Sequence, residues 1–271
     1  MDREIDFDSC REEGELSESE IRLDRERSAF ILRKKIRNVS GRKRLGLAWI
    51  VIDPIVTSLI YLFVLTVLRA RSDPESLFIG IALYGVLQNS IKSGIASIND
   101  ITGGFKAERV RTRTMVMSTV KYRLIDTLAS TIGVAGILLF FYEINLLGVL
   151  LFVFISSAVG LIFEGIGLCL SLIMKRIPDL VNVTNLFLRL MFFAGPVMYP
   201  MVATEGIHYR INMLNPFTYF VESARYFASQ DSIVSSISEI QIIFIIAFCG
   251  TISAIGYLRM DKTRWVISSW S

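Results

Sequence analysis

Six stretches of this chain run for about twenty residues with almost no charge, and nothing else in the sequence restricts the fold as much. They are Leu47–Leu68, Leu77–Ile98, Leu124–Tyr142, Leu147–Met174, Val181–Tyr199 and Ile237–Leu258. An α-helix needs roughly 20 apolar residues to cross the hydrocarbon core of a bilayer. Lipid offers no partner to a bare backbone N–H or C=O, so a span of this kind must be helical. The fold class expected is therefore all-α and integral to a membrane, with six transmembrane helices. Asn89, Ser90, Lys92 and Ser93 interrupt the second run, and Asn182, Asn185 and Arg189 interrupt the fifth. The chain is 52% hydrophobic and 20% charged, against roughly 45–50% and 25% in ordinary soluble domains.

The basic residues set the orientation. With the N-terminus in the cytoplasm, the linkers on that side hold Lys106, Arg109, Arg111, Arg113, Lys121 and Arg123, then Lys175 and Arg176, then Arg259, Lys262 and Arg264. The outer linkers hold only Arg69, Arg71, Arg210 and Arg225. This is a positive-inside distribution, so both termini are expected in the cytoplasm. Basic flanks of this kind also account for the net charge of +4 and the pI near 9.0 without nucleic acid as a partner.

Three regions follow: a cytoplasmic 1–46, a membrane domain 47–258 and a cytoplasmic tail 259–271. Within the first, 1–20 is acidic and poor in apolar residues, which predicts disorder. Ser17 and Glu20 then have the spacing of a capping box. Ile21, Leu23, Phe30, Ile31 and Ile36 recur among Arg and Lys, the pattern of a helix lying on the inner membrane face. A solvated charged helix is the alternative. The first apolar run is too long for the core of a signal peptide and is expected to act as its own insertion signal.

Enzymatic chemistry finds little to work with. No GxxxxGK[ST] loop is present to cradle phosphates, and His208 is the only histidine. Cys10, Cys169 and Cys249 have no paired or metal-binding spacing. Transport is the remaining class for a polytopic chain, and a motor on another polypeptide would need a cytoplasmic docking element. The segment 101–114 offers one: Gly103 and Gly104 permit a sharp turn, and Phe105 and Val110 among Lys106, Glu108 and Arg109 suit a short helix seated in a groove. A plain basic loop anchoring topology explains the same residues equally well.

On the outer side, Asn215-Pro216 reads as an N-cap followed by proline at the first helical position. Phe217, Phe220, Val221, Ala224 and Phe227 fall at helical spacing, and Glu222 and Arg225 are three apart and can pair. A short helix capping the outer mouth fits these residues, as does interfacial anchoring by aromatics. Within the membrane, Glu164 and Arg189 lie at similar depth on consecutive spans, which predicts an ion pair. Arg189 facing a watery pore and binding an anionic group is the rival reading. Asp53 and Lys92 are expected to form a second pair.

Three motifs in register resemble the permease subunits of ABC-2 type exporters, especially those for capsular polysaccharide, O-antigen or teichoic acid. Leu45-Gly46-Leu47-Ala48-Trp49 with Asp53-Pro54 looks like the family's LGxxW and acid-Pro opening of the first span. Gly195-Pro196-Val197-Met198-Tyr199-Pro200 is similar to its SPVxYP ending of the fifth, with Gly195 in the serine position. Leu214-Asn215-Pro216 followed by Glu222 and Arg225 matches its LNP…E…R segment. The resemblance implies a homodimer with a pore at its seam, driven by two copies of an ATPase subunit that carries ATP and magnesium, with no cofactor in this chain. It makes 101–114 a coupling helix, although Arg111-Thr-Arg-Thr114 stands where Phe-Pro is commoner, and it makes 201–231 the short outer gate helices. It further implies aromatic rings presented to a passing glycan, with Trp49, Tyr61, Phe63, Tyr84, Phe192, Phe193 and Tyr199 as candidates. Lipid-facing or interfacial positions are the ordinary alternative for such rings. The competing functions are an ABC-2 permease for a drug or small lipid, an ion-coupled carrier and, least favoured, a membrane enzyme.

Overall fold

A computed structural model describes residues 18–40, 46, 48–67, 74–102, 112–142, 144–229 and 238–262. Among these residues the regular structure is all helical: α1 (Glu18–Ser40), α2 (Ala48–Val67), α3 (Pro74–Thr102), α4 (Thr112–Phe141), α5 (Leu146–Arg176), α6 (Leu180–Ala194), α7 (Gly206–Leu214), α8 (Pro216–Ser229) and α9 (Glu239–Lys262). A short 3₁₀ turn, Met201–Ala203, joins α6 to α7.

The 31-residue α5 is the centre of the bundle and packs against α3, α4, α8 and α9. At its start the Asn145 side chain caps the helix by accepting from the Gly148 N–H at 2.7 Å. Lys175 and Arg176 occupy its last turn, where cations suit the negative end of the helix dipole. Glycines bring its neighbours close. A Cβ on Gly94 of α3 would stand 2.4 Å from the Glu164 carbonyl oxygen, and one on Gly256 of α9 would stand 2.0 Å from that of Gly165. Helices in lipid gain from such close backbone approach because apolar burial alone gives them no driving force.

Thr114–Phe141, Leu146–Arg176 and Glu239–Arg259 are long and apolar enough to cross a membrane. Ala48–Val64 and Leu180–Ala194 are apolar but shorter, and α3 is long but more polar. Several boundaries depart from those expected. The helix of the fifth apolar run stops at Ala194, not Tyr199, because Gly195-Pro196 breaks it and the chain turns through to Pro200. The 201–231 segment holds two helices, α7 and α8, among its described residues, and α8 is sunk into the core. Phe217 and Phe220 are buried against Tyr84 and Phe163, while Phe227, expected on the same apolar face, is exposed.

The first helix, α1, lies along α4. Ile31, Ser28 and Asp24 are buried, whereas Ile21, Leu23 and Phe30 remain exposed. Lys35 donates to the Thr119 hydroxyl at 2.9 Å, tying α1 to the first turns of α4. Residue Ser17 of the expected capping box and the acidic residues 1–17 lie outside the described residues.

Candidate functional site

Three arrangements of polar and aromatic side chains account for most of the residues singled out above. The first is a buried arginine at the end of the bundle formed by the start of α3, the 195–200 turn and α8. Arg225 has no exposed surface. Its guanidinium donates to the carbonyl oxygens of Ser76, Pro196, Val197 and Tyr199 at 2.7–3.3 Å, and to the Glu222 carboxylate at 2.7 Å. The same Glu222 oxygen accepts from the Met201 N–H at 3.1 Å. Asn215 caps α8 by accepting from the Phe217 N–H at 3.1 Å, and Pro216 follows as the first helical residue. The GPVMYP turn and the LNP…E…R helix are therefore one unit, joined through a single guanidinium. Reading Arg225 as a charge on an outer linker was mistaken: its neighbours Val221 and Ala224 carry it into the core.

The second arrangement is a buried ionic cluster on α3, α4 and α5. Arg123 pairs with Asp126 at 2.7 Å and lies 3.7 Å from the Glu164 carboxylate. It also donates to the Asn89 carbonyl oxygen at 3.1 Å, and Ser93 donates to Glu164 at 3.1 Å. The expected Glu164–Arg189 pair is not formed, because Glu164 is buried beside Arg123 while Arg189 is exposed and lines the cavities along α3 and α6. The expected Asp53–Lys92 pair is absent as well, both side chains being exposed and without an ionic partner among the described residues. Sequence reasoning missed Arg123 by taking it as a loop charge. Its i,i+3 spacing to Asp126, at the head of an apolar run, was the signal available.

The third arrangement is an open groove between α2, α3 and α6. One cavity of about 620 Å³ is lined by Trp49, Asp53, Tyr61, Tyr84, Asn89, Asp126, Arg189, Phe192 and Phe193, among others. Its rings form a continuous cluster: Phe192 stands 5.2 Å from Tyr61, 5.0 Å from Tyr84 and 5.1 Å from Phe193 between ring centres. Tyr84 is fixed in turn by donating its hydroxyl to the Leu188 carbonyl oxygen. A second cavity of about 740 Å³ shares Arg189 and extends along α3 and α6 past Lys92, Ala96, Asn182, Asn185 and Leu186. Five of the seven candidate aromatics thus line one cavity. Phe63 does not, being 69% exposed on another face of α2. Tyr199 lies apart, with its hydroxyl 2.6 Å from the His208 ring. The coupling candidates Phe105, Lys106, Glu108, Arg109 and Val110 lie outside the described residues.

Rings of this kind offer flat apolar faces with polar rims, and the groove adds exposed cations and amides. No group of metal-ligating side chains occurs among the described residues.

The sequence profile of the family described as ABC-2 type transporter matches residues 28–228. Two Escherichia coli proteins named polysialic acid transport protein KpsM are 25% identical to this chain, over 205 and 207 residues. Each alignment covers 71% of this chain and 77% of its relative. The matched region runs from within α1 to α8, and so takes in the groove, the ionic cluster and the Arg225 unit. This chain belongs to the ABC-2 type transporter family.

Proposed function

We propose that this chain is the membrane subunit of an ATP-driven exporter that moves a polysaccharide or lipid-linked glycan out across the cytoplasmic membrane. The observation that carries this reading is the ring-lined groove between α2, α3 and α6. Aromatic faces stack on the apolar faces of sugars and tolerate sliding, which a polymer conduit needs. The name of the two relatives supports a glycan as the cargo. In this reading the chain crosses the membrane six times with both termini in the cytoplasm. Two copies face each other across the groove. A separate subunit holds ATP and magnesium and docks on the 101–114 segment, while the Arg225 unit braces the outer gate.

The test is loss of function in the organism that carries the chain. Deletion should abolish a surface polysaccharide and leave it accumulated inside the cell, with restoration by the wild-type chain. Replacing Tyr61, Tyr84 and Phe192 together by alanine should fail to restore it, although the protein remains in the membrane. Normal surface glycan after deletion would overturn the proposal.

A further inference from the structure

The groove is chemically divided. Along α6, Asn182, Asn185 and Arg189 recur at spacings of three and four, so they share one face, and Phe192 continues that face one turn further on. Along α3, Tyr84 and Lys92 lie eight residues apart, roughly 12 Å at 1.5 Å per residue. Because α3 and α6 run in opposite directions across the membrane, the rings of both gather at one end of the groove. Lys92, Asn182 and Asn185 lie toward the other, where α6 begins, and Arg189 lines both cavities. The cavity there is lined by Lys92, Arg189, Asn182 and Asn185, and no carboxylate lines it among the described residues. Asp53 and Asp126 line only the ring-bearing cavity, and Asp126 is already held by Arg123 at 2.7 Å.

Neither Lys92 nor Arg189 has a hydrogen-bond or ionic partner among the described residues. A cation at membrane depth is costly even on the lenient insertion scale unless water or an anion meets it. Two such cations converging on one open cavity, with two side-chain amides beside them, form a receptor for an oxyanion. Arg189 can engage a carboxylate or phosphate with two parallel N–H donors, and Lys92 adds a compact charge.

We propose that Lys92 and Arg189 form an anion-binding station at the inner end of the groove, which recognises a carboxylate or phosphate attached to a sugar. The cargo is then an acidic glycan, held by its charge at the station and by its rings above it. The oxyanion belongs either to the acidic sugars of the polymer or to the phosphate that joins a glycan to its lipid. This inference rests on the function proposed above and narrows its substrate class.

The experiment is equilibrium binding to the full-length chain in detergent, followed by the anisotropy of end-labelled oligosaccharides. The probes are an oligomer of sialic acid, a neutral dextran oligomer of the same length, and a polyprenyl phosphate offered as an unlabelled competitor. The wild-type chain is expected to prefer the acidic oligomer or the polyprenyl phosphate. Replacing Lys92 and Arg189 together by glutamine should cut that preference by about tenfold, the equivalent of about 1.4 kcal/mol and of one charge-assisted hydrogen bond. Each single substitution should remove part of it, and Lys92→Arg should keep it, so a poorly folded double variant leaves the result readable. Loss of sialic-acid binding assigns the station to the polymer, and loss of polyprenyl-phosphate competition assigns it to the lipid-linked end. Equal wild-type affinity for acidic and neutral probes, or a preference that survives the double substitution, overturns the station alone. Failure of the wild-type chain to bind any of the three probes overturns the proposed function as well.

Discussion

A guanidinium with no exposed surface must find acceptors for its donors, and Arg225 finds four carbonyl oxygens and one carboxylate. Truncating it would strand the Glu222 charge and several carbonyl groups in the interior. Removing one partner of a buried pair typically costs about 3–5 kcal/mol, so Arg225→Ala is expected to lower the melting temperature sharply in detergent. Arg225→Lys should recover only part of the loss, since one ammonium cannot reach the acceptors that a planar fork spans. Gly80→Ala attacks the same unit from α3, because its Cβ would stand 2.0 Å from the Val197 carbonyl oxygen and 2.7 Å from the Arg225 guanidinium. A melting temperature unchanged in both Arg225→Ala and Gly80→Ala would refute the bracing role. The pairing of Glu222 with Arg225 was legible from their spacing of three. Their burial was not, because a charged pair on a short helix reads the same on a surface as in a core, and only the position of α8 against α3 decides.

Among the elements, those defined by length and continuous apolarity were the most legible. The long runs that became α4, α5 and α9 needed only counting. By contrast the bounds of α7 were not legible in its residues, since Ile207, Ile211 and Leu214 are exposed and its buried face is Asn212 with Tyr209 and Met213 against Met201 and Tyr219, which hydropathy does not mark. For Glu164 and Arg189, rotation about the helix axis was not legible. Glu164 points to α3 and α4, and its partner Arg123 lies on α4, not α6. This predicts a specific pattern of stability. Arg123→Met leaves the Asp126 and Glu164 carboxylates without their cation and should cost about 3–5 kcal/mol. Adding Glu164→Gln should recover part of that loss, because one of the two stranded charges is removed. Arg189→Met should leave the folded yield unchanged, its side chain being exposed in the groove. Folded yield by size-exclusion chromatography checks all three. A yield that falls only for Arg189→Met would restore the pair first expected for it.

At the scale of the whole molecule, exposed side chains distinguish two kinds of outer surface. On α5, Phe154 is 71% exposed beside the exposed Leu147 and Leu150, a purely apolar face that lipid satisfies at no cost. The face carrying α2 and α6 also exposes large apolar residues, Leu186 at 68% among them, but it opens onto Asp53, Lys92, Asn182 and Arg189. Polar groups at membrane depth are tolerated only where protein covers them or water fills a cavity. Lipid therefore cannot be the sole neighbour of the groove, and a second copy of the chain is the cover that the proposed function requires. Cysteine substitution tests this in a background lacking Cys10, Cys169 and Cys249. Leu186→Cys should yield a disulfide-linked or reagent-bridged dimer in native membranes, detected as a doubled mass under non-reducing conditions. Phe154→Cys, on the lipid-facing side of α5, should remain monomeric under the same treatment. The opposite result would place the seam on α5 and leave the groove open to a different partner.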